Sequence, residues 1–533
     1  MSKGGSVVET NSCWATPRQS RERILPSLES LIPKDDSVRI FEEVLNEVDW
    51  SPWEAAYKQP KTGLGQPAIH PRHIAGAILY GLYRGIRSSR KLEEACCYRF
   101  DFMWLVENRR LDHTTFAKFR TKFHAPLKDL FRQIGHIAMT LGLIRLGEVA
   151  FDGTRVKANN GRYKTRTAKT LEQKLQALDE LFEQLTAKLA ASDAEQAGQG
   201  SPTRLPAELA DTQQRRQQVR AALEKAKAAD EARRKQGVNP AKNPAQIPTT
   251  DVDSRVMPNK EGGCAPNYTP TATTDGAAGF IVDCDVLAEV NEGAGAVPAV
   301  ERIEETFGRR PERFLTDAGN NSGQIMAEME QRGVEFYAPV ASNQPQEGNP
   351  ARRADPTQAV PESQWSALPR NQQRQLAKSC FVYDAENDQY YCPQGRAMPF
   401  EKTKPDQRGG ETVTLRIYRC GDCGGCGLAT ACVSSKSKGG RTVTRDPYEE
   451  VRERTAARMA TASARELYKQ RPRIAETTFG ILKSVLGLRQ FLLRGLEKVK
   501  MEWRWAATAF NLAKLVRAIG RLRAELLQLA ARS

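Results

Sequence analysis

Three acidic positions have the residue type and element settings that metal chemistry could use. Asp152 lies in GEVAFDGTRVKAN, Asp317 in RFLTDAGN and Glu476 in RIAETTFG. The first stretch alternates, with Val149 and Phe151 on one face and Ala150 and Asp152 on the other, which predicts a strand carrying one carboxylate. Asp317 ends a second short strand, and Glu476 sits on a helix. Three hard oxygen ligands suit Mg²⁺ or Mn²⁺ rather than a thiolate-loving metal. Two such ions about 3.5–4 Å apart can serve both the attacking and the leaving oxygen of a phosphoryl transfer. The chain holds 64 Asp and Glu, so the choice of these three rests on their surroundings. Imidazole is scarce: the five histidines are His70, His73, His113, His124 and His136. Chemistry beyond residue 136 therefore runs without it. That excludes a Ser-His-Asp triad or a His-ligated zinc hydrolase there.

A second constellation is made of thiols. Of eleven cysteines, six lie between 380 and 432. Cys423 and Cys426 form a CxxC knuckle, with Cys432 after it and Cys392 upstream in YYCPQG. Four thiolates close a tetrahedral structural Zn²⁺ site. Cys420 makes an overlapping CxxC with Cys423, so the fourth ligand is Cys392 or Cys420. Pinning both ends of a segment with little core favours Cys392. A redox CxxC is disfavoured, because no thioredoxin-like strand-helix context surrounds it.

The elements that must position these groups follow from periodicity. Residues 1–145 read as helical. HIAGAILYGLY (73–83) is one helix, and Ser88-Ser89 opens another at KLEEACCYRF. Phe116, Phe119 and Phe123 share a face of a third, with Lys118 and Lys122 pointing elsewhere. Short helices with basic outer faces suit an all-α, helix-turn-helix-type DNA-binding domain. Residues 146–160 hold the first strand of the core. Over 161–250, Leu171, Leu175, Leu178, Leu181, Leu185 and Leu189 form a coiled-coil-like stripe. Gly198–Pro206 breaks it, a second helix follows, and a linker leads back, so an inserted helical hairpin is expected. Residues 251–340 read β-β-α-β-α-β, with strands NYTPTATTD, GFIVDCDVLAEV, RFLTD and VEFYAPV, and with Asp152's strand before them. The expected fold is α/β with a mixed sheet rather than a doubly wound one. Residues 341–445 loosen in composition around the cysteines, and 446–533 return to helix.

Charge narrows the partners. The 533 residues carry net charge +16 with 27% charged and 40% hydrophobic residues. The last 88 residues hold 18 Lys and Arg against 9 Asp and Glu. Such an excess points to a polyanion such as nucleic acid. No apolar run approaches the about 18 residues of a membrane span. The start, MSKGGSVVETNS, lacks the apolar core of a signal peptide, so a cytoplasmic, reducing, nucleoid-associated location is expected.

FDGTRVKAN, FLTDAGNNSG and YKQRPRIAETTFGILKSVLGLRQFLLRGLEKV closely resemble the three acidic motifs of DDE transposases from bacterial insertion sequences. PRHIAGAILYGLYRGIRSSRKLEEACCYRFDFMWLVENRRLDHTTFAKFR is similar to the helical domain preceding the catalytic core in one large branch of them. The resemblance runs from about residue 38 to 520. It implies an RNase H-like mixed sheet and a metal-binding catalytic triad of Asp152, Asp317 and Glu476. Tyr468, Arg471, Glu476 and Lys483 resemble the family's Tyr-Arg-Glu-Lys signature, although Arg471 and Glu476 have four residues between them where the best-known version has three. Glu476 and Lys483, two turns apart, share a helix face. Lys483, Arg471 and Arg473, with Tyr468, are then expected at DNA phosphates. Similar members also carry a CPxG element, a CxxC and a last cysteine, matching Cys392, Cys423, Cys426 and Cys432. Where the branch often shows Gly-Tyr-Asn-x-Gln, this chain has Asn267-Tyr268-Thr269-Pro270-Thr271.

The function implied is metal-dependent DNA cleavage and strand transfer at the ends of a mobile element. Terminal inverted repeats and target DNA would be the partners, bound by a DNA-held homodimer. Two alternatives stand beside it: an RNase H-like structure-specific nuclease, and a non-enzymatic DNA-binding protein descended from a transposase.

Overall fold

The computed structural model describes residues 27–57, 68–161, 163–195, 207–235, 237–259, 262–340, 348–408, 411–434 and 439–530. The N-terminal region is helical: α1 (Leu28–Leu31), α2 (Ser37–Asn46), α3 (Ser51–Ala56), α4 (Pro71–Tyr83), α5 (Ser89–Tyr98), α6 (Phe100–Leu105), α7 (His113–Lys122) and α8 (His124–Thr140). Pro71 opens α4, where its missing N–H costs nothing. The helix is buried from Pro71 to Leu82 except at Arg72, as its continuous apolar sequence requires. α5 starts at the expected serines, but the Ser88 hydroxyl makes no capping bond. Phe116, Phe119 and Phe123 are all buried, while Lys118 and Lys122 are exposed.

Next come β1 (Glu148–Gly153), β2 (Val156–Lys157), β3 (Thr165–Arg166), α9 (Ala168–Glu195), α10 (Ala207–Lys235), β4 (Ile247–Pro248), β5 (Arg255–Pro258), β6 (Cys264–Asp275), β7 (Ile281–Leu287), α11 (Ala296–Phe307), β8 (Arg313–Leu315), α12 (Gly323–Gln331) and β9 (Glu335–Tyr337). The central sheet runs β7-β6-β1-β8-β9. The β7–β6 and β6–β1 pairs are antiparallel, and β1–β8 and β8–β9 are parallel. The sheet is therefore mixed. α9 and α10 form the expected hairpin, closed at its base by the small β3–β4 ladder. Leu171 is buried there against Val219, Ala222 and Ala226, but Leu181 is 43% exposed. The stripe is thus consumed only near the base. The expected break at Gly198–Pro206 lies outside the described residues.

The cysteine-rich stretch is better ordered than its composition suggests. β10 (Val382–Asp384), β11 (Gln389–Tyr391), β12 (Ala397–Arg408), β13 (Glu411–Arg419), α13 (Ala429–Cys432) and β14 (Thr442–Arg445) build an antiparallel sheet in sequence order. It has its own core of Leu376, Phe381, Tyr390, Met398, Tyr418 and Val443. Alternation in Thr412-Val413-Thr414-Leu415 is short and flanked by charge, so its strand character is weak in composition alone.

The chain ends in α14 (Glu449–Ala460), α15 (Ala462–Lys469), α16 (Arg471–Ser484) and α17 (Leu496–Ala530). α17 packs on α4, α8 and β7 alike. The N-terminal helices and the central sheet consequently share one hydrophobic core. No described helix is long and apolar enough to cross a membrane.

Candidate active site

β1 is covered on both faces. Val149 and Phe151 enter the main core, whereas Ala150 packs with Leu315, Ala464, Ile474 and Ala475 under α15 and α16. Successive strand residues alternate, so Asp152 shares the Ala150 face. In the parallel β1–β8 ladder Ala150 pairs with Leu315. Two residues further on come Asp152, the penultimate residue of β1, and Asp317, just past the end of β8.

Asp317 is fixed locally. Its Oδ1 accepts from Gly319 N at 2.9 Å and from Asn320 Nδ2 at 3.0 Å. Tyr468 O–H donates to Thr316 O at 3.1 Å, tying the adjoining residue to α15. Burial first, then the charges of Asp317 and Asp152, raise the Tyr468 phenol above its ordinary value; Arg471 opposes them.

A third carboxylate joins the pair, and it is not the expected one. Asp152, Asp317 and Glu292 each place a ligand oxygen within 4.8 Å of the others. Glu292 opens a 3-10 turn (Glu292–Gly295) after β7, capped by Asn291, whose side chain accepts from Gly293 N at 2.9 Å. Gly153 makes room for it: a Cβ there would lie 3.0 Å from Glu292 Cβ. Burial, then Asp317 and Asp152, raise the Glu292 carboxyl above its usual range. Converging carboxylates repel unless a cation compensates them. Sequence reasoning missed Glu292. An acidic residue beside a helix-capping Asn, directly after a strand of the sheet, was the available sign.

Glu476 lies at an exposed position of α16, outside this trio. Its helix packs on β1 and β6. Arg471, at the start of α16, sets Nη2 3.4 Å from Asp152 Oδ1 and is only 9% exposed. Its Nε has no protein partner. Lys483 Nζ donates to Thr154 Oγ1, two residues beyond Asp152. Arg473 is exposed. The structure thus gathers Tyr468, Arg471 and Lys483 around the ends of β1 and β8. The departing run Asn267–Thr271 is buried within β6, where Tyr268 O–H donates to Asp251 Oδ1 at 2.7 Å.

The thiols meet elsewhere. Cys392, Cys420, Cys423, Cys426 and Cys432 line one small cavity with Arg396 and Arg441. Cys423 Sγ–H reaches Cys420 O at 3.7 Å. A hydrogen bond from the Cys420 thiol holds Cys392 towards thiolate, while burial pushes Cys432 up to about 12. Gly440, at φ +81°, approaches closely: a Cβ there would lie 3.2 Å from Cys423 Sγ. No three of these thiols come as near one another as the carboxylates do. Cys380 turns away to Pro369 O at 3.3 Å.

No curated protein and no solved structure matches the chain. Residues 391–516 match the transposase DDE domain, a stretch that contains Glu476, Arg471 and Lys483 but neither Asp152 nor Asp317. Residues 26–122 match a transposase domain, DUF772, which spans α1 to α7. Separate transposase models thus match the N-terminal helices and the region around the Glu476 helix, and together they support a DDE transposase of an insertion sequence.

Proposed function

We propose that the chain cleaves DNA at the ends of an insertion sequence and transfers the freed 3′ ends to target DNA. The observation that carries this reading is the registered pair Asp152 and Asp317, joined by Glu292 beneath the helix of Arg471, Glu476 and Lys483. The sheet order β7-β6-β1-β8-β9, with the parallel pairs on one side of β1, supports an RNase H-like core. The domain division given by the sequence, from the helical region 1–145 to the helices of 446–533, is proposed with it.

Three oxygen donors and no sulfur or imidazole suit a hard divalent ion. Asp152, Asp317 and Glu292 would hold it, with Glu476 as a further carboxylate of the site. Mg²⁺ or Mn²⁺ there supplies Lewis acidity at the scissile phosphate. Arg471, buried with Nε unpartnered, offers donors to a phosphate oxygen. Lys483 holds a neighbouring phosphate as a point charge. Tyr468, through Thr316, fixes the height of Asp317.

Zinc on Cys423, Cys426 and Cys432, with Cys392 or Cys420, would close the second cluster. It would pin β11 to the segment between β13 and β14. Two ends cut by one kind of chain imply a DNA-bound homodimer.

The test is strand cleavage and joining on labelled end duplexes with Mg²⁺ or Mn²⁺. Joined product that disappears in Asp317→Asn is expected. Cutting without joining would favour a nuclease. Binding without cutting under either metal would favour a DNA-binding descendant of a transposase.

A further inference from the structure

We propose that α7 is the helix that reads DNA sequence, and that the first turn of α5 holds the adjoining phosphates. This rests on the transposase reading and names the surface that selects the element's ends.

Among described helices of ten residues or more, only α4 and α7 contain no carboxylate, and α4 is buried. Elsewhere on the surface, helical cations are commonly paired on their own helix. Arg132 meets Asp129, Arg215 meets Asp211, and Lys469 meets Glu466. Lys118 and Lys122 have no acidic neighbour along α7. Thr114, Ala117, Lys118, Thr121 and Lys122 recur at helical spacing as one outward stripe, exposed except for the half-buried Thr121. Thymine methyls accept Ala and Thr, and guanine edges accept Lys, so this stripe suits a major groove.

Reading requires a fixed helix. The opposite face of α7 is clamped: Phe119 stacks on Trp53 at 5.1 Å and lies 6.3 Å from Trp505 of α17. The Asp112 side chain caps the first turn by accepting from Thr114 N and Thr115 N. His113 Nδ1 lies 2.8 Å from Glu93 Oε2, joining α7 to α5. Arg90 and Lys91 are exposed at the start of α5.

The same unit is bolted to the candidate active site. Arg87, in the turn before α5, donates to Gly487 O at 2.5 Å and to Gln490 O at 2.7 Å. Those residues directly follow α16, whose last turn carries Lys483. DNA held at α5 therefore continues towards the site of the same chain.

Full-length protein would be titrated by fluorescence anisotropy, without divalent metal, against a duplex from the gene's flanking ends and a scrambled duplex. Wild type should prefer the end duplex. Ala117→Glu places a carboxylate in the groove and should reduce that preference at least tenfold. The double variant Lys118→Ala/Lys122→Ala should reduce it too, and it removes no buried side chain, Lys122 Nζ lying 5.4 Å over the Phe123 ring from the exposed side. Arg90→Ala/Lys91→Ala should weaken both duplexes alike and lower the salt slope by about 2, at about 0.9 per phosphate. Undiminished preference in Ala117→Glu and in the lysine variant, or none in wild type, overturns the proposal. Metal-free binding separates the two readings. If wild type prefers end DNA through α7 but cleaves nothing with Mg²⁺, the enzyme reading fails and this one stands. If it cleaves and joins while the α7 variants keep their preference, this one fails alone.

Discussion

Arg471 Nη2 stands 3.4 Å from Asp152 Oδ1, with both side chains largely shielded from water. The guanidinium brings a positive charge to the edge of the three carboxylates, where Arg155 also lies 3.9 Å from Glu292 Oε2. Truncating it leaves a partly buried Asp152 among like charges. Arg471→Ala should cut strand cleavage by about 10²–10³, the scale of losing a preorganised donor at a developing oxyanion. Mn²⁺ affinity of the DNA-free protein should hold or rise, because a competing positive charge has gone. Single-turnover cleavage beside Mn²⁺ titration measures both. Undiminished cleavage would remove Arg471 from the phosphate.

The position of Glu292 separates two roles among the carboxylates. Glu292→Gln and Asp317→Asn should each weaken Mn²⁺ binding to DNA-free protein, by at least the roughly 10–100-fold that outer-shell changes cost metal sites. Glu476→Gln should leave that affinity near wild type yet abolish cleavage. Calorimetry without DNA, then cleavage with it, reads the difference. Equal loss of Mn²⁺ in Glu476→Gln would return Glu476 to the trio.

Legibility follows from how local each constraint is. Alternation around Asp152 assigned its face correctly, because Ala150 and Phe151 enter different cores. The order of strands and helices from 264 to 337 also follows the sequence closely, since each strand is bounded by a turn or a capped helix. Glu292 left only a local sign in the sequence, because its place at the site depends on β7 lying two strands from β1 and on an empty Cβ position at Gly153. The sequence did not disclose the sheet around the cysteines, whose strands are short or heavily charged. The shared core of the N-terminal helices and the sheet is a third such case, because α17 joins parts hundreds of residues apart.

Gly153 is itself testable. Its Cβ would approach Glu292 Cβ, Cγ and Cδ at 3.0–3.3 Å, so Gly153→Ala must displace that side chain. The variant should fold normally and lose Mn²⁺ affinity as Glu292→Gln does. The double variant should be no weaker than either single one, since both remove the same ligand. Additive losses would show that Gly153 acts by another route.

Zinc gives an independent test in the insertion. Purified protein should carry about one zinc per chain, and Cys426→Ser should lose it. Cys380→Ser should keep it, because Cys380 packs towards Pro369 rather than the shared cavity. The β10–β14 sheet has only a small core, so metal loss should expose it to proteolysis before the rest of the chain. Elemental analysis and limited digestion check both. Full zinc retention in Cys426→Ser would refute the assignment.

Lys483 tests the phosphate reading at a residue that is not itself a carboxylate of the metal site. Its Nζ reaches Thr154 Oγ1 at the end of β1, close in sequence to Asp152 but on the far end of α16 from Arg471. A cation there meets the DNA backbone, which looks alike in every sequence. Lys483→Ala should therefore weaken end and scrambled duplexes by the same factor and reduce the salt slope by about 0.9. Mn²⁺ affinity without DNA should be unchanged, which distinguishes this variant from those of the carboxylates. Anisotropy titrations over a salt series provide the slope. A loss confined to the end duplex would mean that Lys483 contacts a base edge, and the path of DNA across α16 would have to be redrawn.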